Sequence, residues 1–287
     1  MHLEMDPVVQ RPRFVIFNKE DQATLGRMIL TMLLVKYKED IIPISDPMYS
    51  KLTKILRKLA NANRDVFKNT QWTLSVVNAP SMTNALVLPS GNVFVFSGIF
   101  NVVENDNQLT FVMAHEMSHV LLLHTMEILS YTVLKDLAYV LPTFLIWARF
   151  SKWKALCVYL GAGFLHKVLL QFPYQRQLEL EADEVGLELA AKSCIDVREV
   201  LLFWEMMKKY SDLTDESQFE VPILMTHPTH MDRNMKLAHQ MPRALDLREK
   251  AGCPKLPNLD LKKELERYTK DLEERFQKQE MFVTVSP

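Results

Sequence analysis

Apolar residues recur at helical spacing within residues 1–70 of the chain. The stretch "DPMYSKLTKILRKLANANRD" places an apolar stripe at i, i+3, i+4 and i+7, with lysines and arginines on the opposite face. The members of this stripe are Leu52, Ile55, Leu56 and Leu59. The preceding stretch "KEDQATLGRMILTMLLVKYKED" has the same period. Residues 1–70 are therefore predicted to form an N-terminal helical segment.

The hydrophobic pattern becomes strand-like after residue 70. The stretch "QWTLSVVN" has strand composition, and "NALVLPSGNVFVFSG" contains two β-type runs around Pro-Ser-Gly-Asn, which indicates a hairpin. Helical spacing returns over about residues 106–128 and again from "YQRQLELEADEVGLELAAK" onward. This order predicts one mostly helical α+β domain with a small sheet over residues 71–250. The charge-rich tail at 251–287 is expected to form a solvated or partner-binding helix.

Residues 137–170 contain two apolar runs of about a dozen residues each, separated by a basic break. Neither run reaches the length of about 20 residues that a helix needs to span hydrocarbon. Trp147 and Trp153 flank the break, as aromatic residues at a membrane interface often do. The pattern fits a buried helical hairpin of the core as well as a membrane-surface or re-entrant segment.

Charge and composition exclude several classes of function. The chain has 34 basic and 35 acidic residues, a balance that gives no electrostatic reason to expect nucleic acid as a partner. It has seven glycines and no glycine-rich phosphate loop, which disfavours nucleotide chemistry. The three cysteines are far apart and odd in number, so they are predicted to be reduced packing residues. They are Cys157, Cys194 and Cys253.

Titratable side chains interrupt an otherwise apolar helix in the stretch "VMAHEMSHVLLLHTME". Burying such groups is costly unless they are paired or bound to a metal. His115 and His119 are four residues apart and share one helix face, with Glu116 beside them. This is the H-E-x-x-H pattern, in which two histidines hold zinc and the glutamate acts as general base. The pattern predicts a zinc centre that still needs a third ligand.

His124 does not fit the position of that third ligand. Nine residues beyond His115, it has turned about 180° around a continuous helix, away from the metal face. A metzincin would have glycine and histidine where this chain has Leu122 and Thr125, so that subclass is excluded. We therefore favour a structural role for His124, such as an orienting hydrogen bond.

The stretch "ELEADE" is the dense carboxylate cluster on a predicted apolar helix. Glu179 and Asp183 lie on one face, with Ala182 leaving room for close helix approach, whereas Glu181 points away from that face. Glu184 lies about 140° around the helix from Glu179. We expect Glu179 to bind the metal and Asp183 to accept the N–H of a ligating histidine. Taken alone, the cluster also fits a solvated, charged helix face.

The pair of motifs H-E-x-x-H and E-x-x-A-D resembles the gluzincins. The similarity is to the integral-membrane metallopeptidases that include CaaX prenyl proteases and bacterial heat-shock membrane proteases. Together with "VNAPSMTNALVLPSGNVFVFSGIFN" and "THPTHMDR", these motifs resemble the mitochondrial inner-membrane overlapping-activity metalloendopeptidase family over most of residues 70–255. The resemblance implies a zincin-like (minigluzincin) metallopeptidase domain at 71–250, with a small mixed sheet and a β-hairpin edge strand above the H-E-x-x-H helix.

The resemblance also implies a site chemistry. One Zn²⁺ per chain would be held by His115, His119 and Glu179, with Asp183 behind them and Glu116 as the base in metal-assisted peptide hydrolysis.

Further site residues follow from the same resemblance. His227, in the His-Pro motif, is the candidate donor to the developing oxyanion, with Arg233 as a supporting charge and His230 as a weaker alternative. An extended substrate is expected to add to the edge strand by main-chain hydrogen bonds. The residues expected at that substrate are Asn84, Ala85 and Leu86.

The family implies a location and partners as well. It implies the mitochondrial inner membrane, contact with lipid through residues 137–170, and stress-activated cleavage of inner-membrane proteins such as a dynamin-like GTPase. The stretch "MHLEMDPVVQRPRF" has neither a signal-peptide core nor an Arg/Ser-rich presequence, so the location rests on the resemblance. A homo-oligomer is one option for the assembly.

Two other classes of function compete with the endopeptidase. A catalytically inactive, membrane-associated scaffold would bind partners through the apolar run and the tail, and would contain no stoichiometric zinc. A soluble zinc aminopeptidase would need an acidic site for the substrate's N-terminal amine, and no motif for one is evident.

Overall fold

The computed structural model describes residues 3–6, 8–68, 70–213 and 231–284 of the 287-residue chain. The strands are β1 (Leu3–Met5), β2 (Pro12–Phe14), β3 (Thr73–Val77), β4 (Ala85–Val87) and β5 (Asn92–Phe96). The α-helices are α1 (Lys19–Lys36), α2 (Pro47–Ala62), α3 (Arg64–Phe67), α4 (Asp106–Leu121), α5 (His124–Arg149), α6 (Lys152–His166), α7 (Phe172–Lys192), α8 (Glu199–Leu213), α9 (Met231–Lys250) and α10 (Leu261–Thr284). This content confirms the mostly helical α+β fold.

The predicted strands form a small mixed sheet. β5 lies in the middle, parallel to β3 and antiparallel to β4, with Thr73 opposite Asn92 and Ala85 opposite Val95. Gly91 turns the chain between β4 and β5 with a φ of +84°, a conformation that glycine adopts without strain. The predicted hairpin is therefore present, and β4 is an edge strand.

Helix α4 is the centre of the core. Its first turn is capped by Asn105, whose side chain accepts hydrogen bonds from the backbone N–H groups of Asn107 and Gln108. Helices α2, α7 and α8 and strand β4 pack around it. Its apolar positions, among them Leu109, Met113 and Met117, are fully buried. The helix that carries H-E-x-x-H is thus held on several sides.

The predicted continuous helix over residues 106–128 is wrong at its C-terminal end. α4 ends at Leu121, and Leu123 adopts a left-handed conformation with φ of 60° before α5 begins. The left-handed conformation costs a non-glycine residue about 1–2 kcal/mol. No residue type near Leu123 predicts a break in the helix. His124 therefore starts a new helix, and its direction is not set by the period of α4.

Helices α5 and α6 form a hairpin with exposed apolar side chains. Leu137, Phe144 and Trp153 are 68%, 69% and 78% exposed, so the interpretation as a buried hairpin of the core is wrong. The first apolar run also belongs to a longer helix than the sequence indicated. Within the described residues, α5 is the one helix that is long and apolar enough to cross a membrane by length and composition.

The C-terminal helix α10 packs against the domain. Tyr268 and Leu272 are buried against the core, and the Tyr268 hydroxyl donates to the Glu199 carboxylate. The predicted helix is present, but the expectation that it is solvated is wrong for this face. A helical pattern shows which residues share a face, and it does not show whether a weakly apolar face finds a partner.

The prediction of three reduced cysteines is also wrong. Cys194, just after α7, and Cys253, just after α9, form a disulfide with their Cα atoms 5.2 Å apart, and Cys157 is free and exposed. The two half-cystines are 59 residues apart in sequence. Their proximity depends on α7 packing beside α9, which spacing between cysteines does not reveal.

Candidate metal centre

Three predicted ligands from two helices converge on one point. His115 and His119 extend from α4, and Glu179 extends from α7. The two Nε2 atoms are 3.2 Å apart. Glu179 Oε2 lies 3.4 Å from His115 Nε2, and Glu179 Oε1 lies 3.6 Å from His119 Nε2. The helix period brings the histidines together, and the packing of α7 on α4 adds the carboxylate.

These separations fit a zinc-sized ion. A tetrahedral zinc centre with bonds of about 2.0–2.1 Å separates its ligand atoms by about 3.3–3.4 Å. The three observed distances, 3.2, 3.4 and 3.6 Å, lie around that value. Two imidazoles and one carboxylate are also the donor set of catalytic zinc sites, which keep the fourth position for water or substrate. The residues present therefore fit the metal that the motif predicts.

The close approach of α7 to α4 depends on Gly186. A Cβ atom added to Gly186 would lie 2.9 Å from the Cα and 3.0 Å from the backbone N of His115. Ala182, to which the sequence assigned this role, is buried one turn earlier. Glycine within a helix costs about 1 kcal/mol relative to alanine, which usually signals a packing reason. That signal identifies Gly186, and the sequence analysis missed it.

Asp183 lies behind His115, where the sequence placed it. Asp183 Oδ1 is 3.1 Å from His115 Nδ1, which leaves Nε2 of the same ring for the metal position. Arg233, from α9, holds Asp183 in turn: its Nε and Nη2 donate to the two carboxylate oxygens at 2.6 and 2.7 Å. The arrangement orients the ring and favours the tautomer that can bind metal through Nε2.

Arg233 contacts both carboxylates of the site. Its Nη1 lies 3.3 Å from Glu179 Oε2, and its guanidinium stacks 4.0 Å from the ring centroid of Trp204. The side chain is almost fully buried. These contacts favour a role in holding Glu179 and Asp183 in place.

The carboxylates change the proton affinity of the histidine. Burial lowers the pKa of His115, but hydrogen bonds and charge interactions with Asp183 and Glu179 outweigh it and raise the pKa to about 9. Burial raises the pKa of Asp183, and the positive charges of Arg233 and His115 lower it below its usual range. In the absence of metal, the His115 ring therefore carries a proton on both nitrogens at neutral pH, and a metal that binds Nε2 has to displace one of them.

Glu116 is buried beside His115 on α4. Burial lowers the pKa of Arg233, and the charges of Asp183, Glu179 and, least, Glu116 raise it above its usual value, which is consistent with Glu116 belonging to the same charged cluster. His119 is the more accessible of the two histidines, with 14% of its side chain exposed. A buried carboxylate next to a partly open metal position can take a proton from water held there.

His124 contacts the rear of His119 instead of the metal position. The two Nδ1 atoms are 2.9 Å apart, and His124 is fully buried. The orienting role of His124 stays a prediction, and this contact is the geometry that such a role requires. His227 and His230 lie outside the described residues.

Strand β4 packs against α4 and carries two of the predicted substrate residues, Ala85 and Leu86, while Asn84 directly precedes it. Asn84 and Ala85 are buried, and Leu86 is half-buried. Phe96 N–H donates to Asn84 O, and Leu88 N–H donates to Asn92 O. Because hydrogen-bonding direction alternates along an antiparallel strand, the main chain of Leu86 also faces β5. The main-chain groups at the open edge are therefore those of Ala85 and Val87, and Val87 was missed.

Two histidines of one helix and a carboxylate of a second helix form the donor set of a metallopeptidase site, and comparison with known sequences agrees with that class. Residues 49–241 match peptidase family M48, and the chain belongs to that family. The match confirms the resemblance seen in the motifs.

Individual relatives carry more specific names. The chain is 35% identical to metalloendopeptidase OMA1, mitochondrial, of Danio rerio over 90% of this chain and 54% of the relative. It is 33% identical to the Homo sapiens protein of that name over 99% of this chain and 54% of the relative. The mitochondrial metalloendopeptidase OMA1 of Saccharomyces cerevisiae (strain ATCC 204508 / S288c) is 28% identical over 90% of this chain and 74% of the relative. The chain spans about half the length of the fish and human relatives.

Proposed function

We propose that this protein is a zinc-dependent endopeptidase with one Zn²⁺ per chain, bound by His115, His119 and Glu179. The observation that carries the proposal is the convergence of these three ligand atoms, all within 4.8 Å of one another. Membership of peptidase family M48 and the metalloendopeptidase names of the relatives support it.

Each side chain of the site has a separate role in the proposed hydrolysis. Bound zinc would polarise the scissile carbonyl and lower the pKa of water. Glu116 takes the proton of the attacking water and delivers it to the leaving amine. Asp183 and Arg233 keep His115 and Glu179 in their binding orientation. His227 remains our candidate for the donor to the oxyanion.

The finer fold assignment is a zincin-like (minigluzincin) domain in which β4 forms the upper wall of the substrate cleft. An extended peptide would pair with the main-chain groups of Ala85 and Val87 at the edge of the sheet. Strand addition requires an extended segment, so the substrates are flexible or unfolded stretches of protein.

We place this activity at the mitochondrial inner membrane. The names of the fish, human and yeast relatives include the mitochondrion, which supports the compartment. The substrates would be inner-membrane proteins or membrane-proximal segments, including a dynamin-like GTPase, in stress-activated quality control.

The exposed α5–α6 hairpin is the proposed lipid contact. Apolar side chains of both helices face outward, and Arg149, Lys152 and Lys154 lie at its tip with Trp147 and Trp153. Aromatic and basic residues at such a tip fit a membrane interface.

Vesicle flotation tests this contact. The protein should float with vesicles containing anionic phospholipid, and the double variant Leu141→Asp/Phe144→Asp should not. The matched control, Met28→Asp/Met32→Asp on the exposed face of α1, should float like the parent. Equal flotation of both double variants would contradict the assignment of the hairpin.

Cleavage of casein or a quenched peptide by the parent chain and by Glu116→Gln tests the enzyme. The variant should keep stoichiometric zinc and lose about 10²–10⁴-fold in rate, because the base is gone while the ligands remain. Glu184→Gln, which changes a carboxylate of α7 that lies off the site, should cleave like the parent.

Equal cleavage by the parent and Glu116→Gln would refute the proposal. An inactive scaffold predicts no stoichiometric zinc and no effect of chelators on Tm, so zinc analysis of the same samples separates the two.

A further inference from the structure

A chain of buried polar groups begins at Nδ1 of His119, on the side of the ring opposite the metal position. Its Nε2 points to the other two ligands, and its Nδ1 lies 2.9 Å from Nδ1 of His124. On the far side of the His124 ring, Nε2 lies 3.4 Å from Glu181 Oε2. His124 is 1% exposed, so neither ring nitrogen has bulk water as a ready partner.

Arg11 closes the chain of contacts. Its Nε donates to Glu181 Oε1 at 2.6 Å. Its Nη1 and Nη2 donate to the two oxygens of Glu127 at 2.6 and 2.7 Å, a bidentate pair. Arg11 thus ties together α5, through Glu127, and α7, through Glu181, directly behind the metal position.

Arg11 belongs to an N-terminal arm, which we define as the described part of residues 3–14. The arm contains β1 and β2, and it is fixed to the break between α4 and α5. Arg13 pairs with the buried Asp6, and its guanidinium also donates to the carbonyl of Leu122 at 3.1 Å. The arm therefore meets the catalytic helix where that helix ends.

We propose that His124, Glu181 and Arg11 form a positioning relay through which the N-terminal arm sets the metal affinity of His119. The proposal rests on the proposed function, because it takes Nε2 of His119 as a metal ligand. A neutral imidazole that binds metal through Nε2 carries its proton on Nδ1.

The proton positions of the relay follow from that requirement. Nδ1–H of His119 donates to Nδ1 of His124, and the neutral His124 ring then carries its own proton on Nε2, facing the carboxylate of Glu181. Arg11 keeps that carboxylate in place. With both rings neutral, the arrangement in which each of these protons faces an acceptor is the one that turns the lone pair of His119 Nε2 toward the metal position.

The relay mirrors the support of the other histidine. Asp183, held by Arg233, contacts Nδ1 of His115 directly, whereas His119 reaches its carboxylate through an intervening imidazole. Outer groups of this kind typically change metal affinity by about 10–100-fold when they are removed. The difference is that the second support includes a residue from a separate arm of the chain.

The test is the dissociation constant for zinc, measured on the full 287-residue chain by competition with a chromophoric chelator. His124→Leu should weaken zinc binding by about 10–100-fold. His124→Asn should restore most of the affinity, because its Oδ1 can occupy the place of Nδ1 and accept the proton of His119. A purely structural role for His124 predicts no such rescue.

Arg11 is tested by a double-mutant cycle. Arg11→Met should weaken zinc binding by up to about tenfold in the parent, and by less than about twofold in the His124→Leu background, because the connection is already broken. The matched control is Arg198→Met, which removes a comparable bidentate pair with Asp196 and should leave the zinc affinity unchanged. Visible spectra of the Co²⁺-substituted chain should shift for His124→Leu and stay unchanged for Arg198→Met.

Several outcomes would overturn the relay. These are equal zinc affinities for His124→Leu and the parent, equal losses for His124→Leu and His124→Asn, and additive effects of Arg11→Met and His124→Leu. Each would leave proteolysis by the parent intact, so a failure of the relay is distinguishable from a failure of the proposed function. Absence of zinc binding by the parent would end both.

Discussion

At the scale of single residues, buried charges of opposite sign lie next to each other in the site, and their hydrogen bonds fix the orientation of the side chains. The carboxylates of Glu179 and Asp183 are buried beside His115, and Arg233 supplies compensating positive charge while it also holds Asp183 in a bidentate pair. A buried ion pair contributes little net stability compared with apolar packing, but breaking one leaves an uncompensated charge. The stability of the metal-free site should therefore depend strongly on Arg233.

Arg233→Met should lower the free energy of unfolding by about 3–5 kcal/mol, because Asp183 loses its bidentate partner and both carboxylates lose one of their buried counter-charges. The measurement is denaturant unfolding in the presence of a chelator. Arg243→Met is the control. The Arg243 side chain is 63% exposed and pairs with two other carboxylates of α7, those of Glu184 and Glu188. The control substitution should lower the free energy of unfolding by less than about 1 kcal/mol. Equal losses for the two variants would contradict the proposed role of Arg233.

Part of this residue-level arrangement could be predicted from the sequence. His115 and His119, like Glu179 and Asp183, are four residues apart, and a helix converts that spacing into a shared face. The contact of Arg11 with Glu127 spans 116 residues, and no local periodicity encodes it.

At the scale of elements, the distance between α4 and α7 decides whether the carboxylate reaches the histidines. That distance depends on Gly186, which faces the backbone of His115. A methyl group there would force a backbone shift, since the contact would be at 2.9 Å to a Cα atom and not to the end of a flexible side chain.

Gly186→Ala should lower Tm and weaken zinc binding, although alanine is the better helix former by about 1 kcal/mol. Gly161→Ala is the control, because a Cβ added at Gly161 meets nothing within 4 Å. It should keep the parent's zinc affinity. Zinc binding by Gly186→Ala that is as tight as that of the parent in chelator competition would contradict this role of Gly186.

The disulfide also acts at this scale, since it joins the ends of α7 and α9. Closing a loop of 59 residues stabilises the folded chain by about 4 kcal/mol through the entropy of the unfolded state. Cys253→Ser should therefore lower Tm by several degrees, whereas Cys157→Ser, at an exposed free cysteine, should not. Three titratable thiols in the unreduced, denatured parent would show that the bond is absent.

Element boundaries were predictable where the sequence carries a signal for them. The cap at Asn105 and the turn at Gly91 use residue types that favour those conformations. The break at Leu123 uses a residue that disfavours its conformation, so the local pattern predicted one helix where there are two. The arm and the end of α4 meet at this break, and only the tertiary structure contains that information.

At the scale of the whole molecule, a largely buried candidate metal centre and an exposed apolar hairpin belong to the same chain. The sequence could not decide whether residues 137–170 pack in the protein core or contact a membrane. Hydrophobicity shows that the side chains avoid water, but it does not show whether protein or lipid surrounds them. The structure removes the first alternative, since the large apolar side chains of α5 and α6 are exposed. The proposed activity would thus be held next to lipid, where membrane-proximal segments are the accessible substrates.

The most direct test of the account is a structure of the zinc-loaded chain with the metal located by anomalous scattering at the zinc edge. One zinc per chain is expected, about 2.0–2.2 Å from Nε2 of His115, Nε2 of His119 and a carboxylate oxygen of Glu179. A zinc bound elsewhere, or one held by the two histidines with Glu179 out of bonding range, would contradict that expectation.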